Sequence, residues 1–253
     1  MTSGDEDSQR RSPFTRPGFI AGGLVVALIV VLGVVIGIVN MTNNDPDTDP
    51  TASTSSDPDT DPTSEEPTDV DVEASICGLE GSVTEAAQLT AAPDVDEWAY
   101  QSTTAYPVSG EFGPAEDDAD GVRYCFQRSP EGALFMSANA LVQGSDPSVS
   151  DEWVQYVLAD GPYRDELVGQ VASAAGAGSS RMSIVGFRLL HYDGETARVD
   201  LAARASSQGQ TVTVSGVYEL IWQDGDWKIS ADVAEPLNVA TIPDLAGYIP
   251  WEE

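Results

Sequence analysis

The sequence predicts an α+β domain with helices packed on one face of a curved antiparallel sheet, preceded by one transmembrane helix and a disordered stalk. Three observations predict it. Phe19 to Val39 is an unbroken apolar run, the next thirty-odd residues are almost all Asp, Pro, Thr, Ser and Glu, and the apolar period shifts from helical spacing to strict alternation near residue 180.

The run FIAGGLVVALIVVLGVVIGIV holds no charge and no proline. At about 1.5 Å per residue it covers roughly 30 Å, the thickness of a bilayer hydrocarbon core, and it exceeds the about 7 to 15 residues of a signal-peptide apolar region. Arg10, Arg11 and Arg16 precede it and no basic residue follows closely, which places the N-terminus in the cytoplasm. The expected layout is a cytoplasmic tail at 1–18, a span at 19–39 and an extracellular remainder, in a single-pass protein of the cell membrane. Gly33 and Gly37 have the small-xxx-small spacing that permits close helix pairing, although glycine is common in spans generally.

Residues 40–75 form the expected stalk. Asp45-Pro46-Asp47-Thr48-Asp49-Pro50-Thr51 recurs as Asp57-Pro58-Asp59-Thr60-Asp61-Pro62-Thr63, and such a composition cannot bury enough apolar surface to fold. Prolines and like charges stretch it into a semi-stiff spacer. The Asp-x-Asp-x-Asp pattern also resembles the start of a calcium loop, but Pro50 and Pro62 stand where the turn needs glycine.

Composition excludes several classes of function. With 42 acidic against 11 basic residues the formal charge is −31, which repels nucleic-acid phosphates, so no direct nucleic-acid partner is expected. One His and two Cys cannot build most zinc, haem or iron–sulfur sites, and no cofactor or metal is expected. From residue 76 onward there are 8 basic and 28 acidic residues, so the folded part is itself acidic. Glu116-Asp117-Asp118-Ala119-Asp120-Gly121 fits the first half of a calcium loop, yet Gln127 stands where a bidentate Glu is required, and a solvated turn is the simpler reading.

Cys77 and Cys125, outside the cell, are expected to form a disulfide, whose 48-residue separation contributes roughly 3 to 4 kcal/mol in the chain-entropy model. The segment 76–128 reads as a loop-rich wrap, punctuated by Pro93, Pro107, Gly110, Gly113 and Pro114. The α+β domain proper occupies 129–253. Ser129-Pro130-Glu131 combines a cap, a proline at the first helical position and an acidic first turn, with Ala133, Leu134, Ala138, Leu141 and Val142 as the apolar face. A second helix starts at Ser148 or Ser150 and carries Trp153, Val154, Val157 and Leu158; a third runs from Pro162 and ends at Gly176-Ala177-Gly178.

Four strands follow at Met182–Tyr192, Ala197–Ala205, Val212–Gln223 and Trp227–Val233, with Asp193-Gly194 and Asp224-Gly225 as hairpin turns. Val199, Leu201, Ala203 and Ala205 alternate with Arg198, Asp200, Ala202 and Arg204, which predicts one buried and one wet face. Val212, Val214, Tyr218, Leu220 and Trp222 form the matching buried series.

The closing hairpin, Tyr218-Glu219-Leu220-Ile221-Trp222-Gln223-Asp224-Gly225-Asp226-Trp227-Lys228-Ile229, resembles the last strands of the cone-shaped nuclear-transport-factor-two-like fold. That fold forms the extracytoplasmic part of single-pass scaffold proteins of type IV secretion and conjugation machines, including TcpC-like proteins, and the tail, span, stalk and domain are similar to that arrangement. Cys77-Gly78-Leu79 and Gly247-Tyr248-Ile249-Pro250-Trp251 resemble surface proteins carried on mobile elements of GC-rich bacteria. The resemblance implies a membrane-anchored assembly subunit of a cell-envelope machine, with other envelope or secretion-system proteins, the membrane and further copies of itself as partners.

Two other readings stand beside it. One is a surface-displayed module binding a small ligand or a cell-wall fragment, with Tyr192, Tyr218, Trp222 and Trp227 lining the cone and Trp251 at a docking tail; core packing is the plainer role for all five. The other is a cone-fold enzyme, for which His191 is the sole acid or base candidate. It sits beside the Asp193-Gly194 turn, where a hairpin-capping role is simpler. Asp200 and Glu219 fall opposite the apolar series, and no nucleophile elbow or phosphate loop occurs, so no catalytic residue is assigned.

Overall fold

Helices give way to sheet where the apolar period changes, and that boundary organises the fold. The computed structural model describes residues 75–174, 181–207 and 210–253. The expected tail at 1–18, the span at 19–39 and nearly all of the stalk at 40–75 lie outside them. The elements in order are β1 (Glu97–Gln101), β2 (Thr104–Val108), β3 (Glu116–Asp117), β4 (Arg123–Tyr124), α1 (Pro130–Gly144), α2 (Ser150–Val157), α3 (Arg164–Ala174), β5 (Arg181–Tyr192), β6 (Thr196–Ser207), β7 (Gln210–Gln223), β8 (Asp226–Ile229), β9 (Leu237–Thr241) and β10 (Ile249–Pro250).

Helix α1 begins where its start signals place it. The Ser129 hydroxyl accepts from the Gly132 N–H at 2.9 Å, Pro130 occupies the first turn and Glu131 faces the positive end of the helix dipole. Its side chains are buried almost all round, so it is the central helix, with β2 on one side and β5 and β6 on the other. Helix α2 buries Trp153, Val154 and Val157. It has no basic residue in its last turn; Arg164, at the start of α3, donates to the Gln155 carbonyl at 2.6 Å and to that of Leu158.

The main sheet runs β10–β5–β6–β7–β8, with β9 also paired to β7. Every pairing is antiparallel. The β7–β8 turn is the two-residue Asp224-Gly225, both at positive φ (55° and 77°), the geometry an Asp-Gly pair favours. Asp193-Gly194 belongs instead to a longer turn, in which Asp193 accepts from the N–H groups of Glu195 and Thr196. The core lies between α1, α2 and one face of the sheet, where Val199, Leu201, Tyr218, Leu220 and Trp227 meet Leu134, Phe135 and Val154.

Several expectations are corrected. The sheet is open and flat, not curved into a cone. Strands β6 and β7 pair in unbroken register from Thr196↔Ile221 to Ser207↔Gln210, the register shifts are confined to β5–β6 at Ile184/Gly186 and Leu189/His191, and the far edge never returns to β5. The second face of β6 is not wet at its centre: Asp200 and Ala202 are fully buried while Arg198 and Arg204 stay exposed. The 76–128 segment, read as a loop-rich wrap, contains the β1–β2 hairpin, whose β2 packs on α1 and β5, and the short β3–β4 pair.

The membrane topology is corrected too. The longest described helix, α1, has 15 residues and covers about 22 Å at 1.5 Å per residue, short of a bilayer core. No helix among the described residues is long and apolar enough to cross a membrane. The single-pass arrangement, the cell-membrane localisation with an extracellular domain, and the membrane as a partner through 19–39 therefore have no support in the structure.

The tight start of α1 gives a direct test. A Cβ built on Gly132 would lie 1.9 Å from the Gln127 carbonyl oxygen, a backbone atom that cannot step aside. Gly132→Ala should destabilise the fold by about 2 to 4 kcal/mol despite alanine's better helix propensity. Urea denaturation measures this, and an unchanged or raised midpoint would mean that the α1 entry is looser than described.

Candidate functional site

The aromatic residues picked out from the sequence come together, but inside the core. Trp227 is 1% exposed, donates its indole N–H to the Gln127 carbonyl at 3.0 Å and packs against Tyr192 and Trp222, with ring centroids 5.7 and 5.4 Å away. The Tyr192 hydroxyl donates to the Val83 carbonyl at 2.6 Å. Tyr218 is buried on the same sheet face, and burial raises both phenol pKa values above the ordinary range. Trp251 lies apart from this group, edge-on to Trp98, Phe135 and Phe187, so the tail end closes its own core. Trp222 is the one of the five that is half-buried, and the Arg128 guanidinium lies 5.7 Å over its ring.

His191 is exposed. Its Nε2 lies 3.1 Å from Asp193 Oδ2, and Asp193 is already committed to its turn. The backbone N–H of Thr196 is the main cause that holds the Asp193 carboxyl down at about 2. Cys77 and Cys125 form the expected disulfide, with Cα atoms 6.0 Å apart. Among the described residues no group of three or more His, Cys, Asp or Glu is placed to hold a metal ion.

The sequence did not reveal that two carboxylates, Asp226 and Asp200, are buried. Asp226, fully buried at the start of β8, accepts from the N–H groups of Cys125 (2.8 Å), Phe126 (2.8 Å) and Trp227 (2.9 Å) and from the Tyr156 hydroxyl (2.7 Å). Burial pushes its pKa up against those donors. The Lys228 ammonium sits 3.1 Å from the Tyr156 ring centroid, a cation–π contact, and burial lowers its pKa to about 8. Asp200, in β6, accepts from Ser215 (2.6 Å), Tyr248 (2.9 Å) and the Arg188 guanidinium. Beside the Asp226 cluster lies a cavity of about 10 Å³, lined in part by Arg123, Asn139, Gln143 and Tyr156, the size of a single water. Each of the two carboxylates accepts four hydrogen bonds from within the fold.

What the fold leaves open is a strand edge. Pro236 lacks an N–H, so the Glu219 carbonyl turns instead to Ser230, while the Glu219 N–H still donates to the Pro236 carbonyl at 2.8 Å. That divides one edge of β7 between β8 and β9. The outer edge of β8 is covered, because Ala159 donates to the Ile229 carbonyl and Tyr163 to that of Ala231. The opposite edge of the sheet is met by β10, by Trp251 donating to Val185 and by Ala87 donating to Tyr192.

β9 has no strand or backbone partner on its outer side among the described residues. The bonds Ile242 N–H to Thr213 and Glu219 N–H to Pro236 fix which residues face β7, namely 236, 238, 240 and 242. The N–H and C=O groups of Leu237, Val239 and Thr241 therefore point outward. All five residues of β9 are exposed or half-exposed, and Leu237 is 41% exposed. The strand reads Leu-Asn-Val-Ala-Thr, with no charge, proline or bulge to blunt its edge. The only sequence signal was an uncharged six-residue run between Pro236 and Pro243, too short to stand out by period.

A family model described as "Domain of unknown function (DUF8175)" matches residues 49–250, and the chain belongs to that family. No curated protein and no solved structure matches the chain. The family description carries no secretion or conjugation identity, so the expected role as an assembly subunit of a type IV secretion machine, and the envelope and secretion-system partners that went with it, are set aside.

Two measurements test the buried groups. Asp226→Asn puts an amide N–H₂ where one oxygen accepts hydrogen bonds, and should cost about 3 kcal/mol in urea denaturation; a loss below about 1 kcal/mol would mean that the four donors are satisfied elsewhere. For Lys228, the folded pKa of about 8 lies below the ordinary 10.5. Between those values the unfolded chain holds a proton that the folded chain has released, so this group's contribution to stability rises with pH across the window, and its burial cost is fully present below it. The urea midpoint of the wild type should rise relative to that of Lys228→Met between about pH 7.5 and 9.5. A constant difference would mean that Lys228 is solvated.

Proposed function

We propose that the domain is a binding module that acts through its outer surface rather than through an interior pocket or a reacting centre. The observation that supports this best is the open edge of β9, a row of backbone donors and acceptors with no backbone partner among the described residues. The aromatic residues that would have lined a ligand pocket are spent on packing, and His191 is tied to a turn carboxylate at the surface. A rigid sheet with an uncharged open edge suits recognition of another chain by strand addition, in which backbone hydrogen bonds supply affinity and alternate side chains supply selectivity.

The experiment is an NMR titration of the full chain with two sets of probes, extended peptides and a panel of small ligands that includes cell-wall fragments. Saturable amide shifts confined to surface residues are expected. Shifts centred on Trp227 and Tyr192, or turnover of any probe that is lost in His191→Ala, would defeat the reading.

A further inference from the structure

We infer that the β9 edge takes a partner strand of defined chemistry: an extended, uncharged, β-prone segment flanked on both sides by Lys or Arg. This rests on the binding-module reading and assigns its site and its partner class.

The backbone sets the geometry. Three outward residues, Leu237, Val239 and Thr241, each offer one N–H and one C=O, and at about 3.4 Å per residue they present a ladder of roughly 14 Å. An incoming strand that pairs with all three adds up to six hydrogen bonds in register. Side chains set the middle of the segment. Leu237 and Val239 share one face of the strand, opposite Tyr218 and Gly216. An apolar β-branched residue of the incoming strand, paired with Val239, packs on that face next to exposed Leu237.

Charge sets the flanks. Asp232 and Glu235 precede the strand and Asp244 follows it, all exposed, while the strand itself carries no charge. A segment with basic residues on both sides of an uncharged centre matches this pattern. The chain's own Asp/Pro-rich stretch does not, since it carries like charge and its prolines lack donors. A second copy does not either, because two chains of formal charge −31 repel.

The test uses the full chain and two fluorescent peptides with the same Thr/Val-alternating centre, one flanked by lysines and one by glutamates. The lysine peptide should bind saturably and more tightly at low salt, and the glutamate peptide at least about tenfold more weakly. Val239→Pro removes one outward N–H without touching a bond to β7, and should weaken the lysine peptide about tenfold. Should that variant fail to fold, N-methylation of the peptide at alternate residues serves instead: one of the two methylation phases should weaken binding by a similar factor, and the other should not.

Equal binding of the two peptides overturns the inference, as does a Val239→Pro protein that binds like wild type, or two methylation phases with the same affinity. Saturable binding with amide shifts away from 237–241 defeats the inference but leaves the binding-module reading standing. No binding by either peptide or by any ligand of the panel defeats both. A dimer that sediments as such and is abolished by Val239→Pro would assign the edge to self-pairing and overturn the partner class.

Discussion

The Asp226 carboxylate joins three parts of the chain that lie far apart in sequence. Its four hydrogen bonds join the β7–β8 hairpin to the backbone at Cys125 and Phe126, about a hundred residues earlier, and to Tyr156 on α2. Cys125 has a φ of 68°, a left-handed conformation that costs a non-glycine residue of order 1 kcal/mol or more. Asp226 receives both N–H groups at that kink, and the disulfide to Cys77 fixes its side chain. Burying a carboxylate is expensive unless its lone pairs are filled, and here they are. The entry to α1 follows within four residues, so the position of the central helix depends on this anchor.

Asp200 does a comparable job in β6. It is fully buried beneath Tyr248, whose ring also stacks on the Arg188 guanidinium at 4.3 Å. The C-terminal segment is thereby held across β5 and β6, ready for Trp251 to turn into the core beside Phe135 and Phe187. One carboxylate thus secures the Cys125–Phe126 segment and the other secures the C-terminal segment, each by gathering donors distant in sequence.

The sequence revealed what is local. Ser129-Pro130-Glu131 marked the start of α1, alternation marked β5 to β8 within a few residues, and Asp224-Gly225 marked a tight turn, because each signal lies within the element it describes. It was silent on β1 to β4, β9 and β10, which are two to five residues long and exist only through partners elsewhere. The cone shape failed for the same reason: curvature is a property of the whole pairing scheme, and the Tyr218–Ile229 hairpin is common to flat and curved sheets alike. Alternation placed Asp200 on the second face correctly, but could not show that Tyr248 would cover it. Asp226 read as a polar turn residue, since its donors are far away in the chain. The β9 edge was illegible because its openness depends on which neighbours are missing.

Lys228 is the chain's one lysine, and it is 6% exposed, beneath the Tyr156 ring. Amine-directed chemistry on any side chain must therefore wait for the contact between α2 and β8 to separate. The rate at which an acylating reagent marks this residue becomes a clock for that opening, and converts to the free energy of local unfolding when closing outpaces labelling. The domain thus carries an intrinsic reporter of the packing that Asp226 secures, with no engineered probe required.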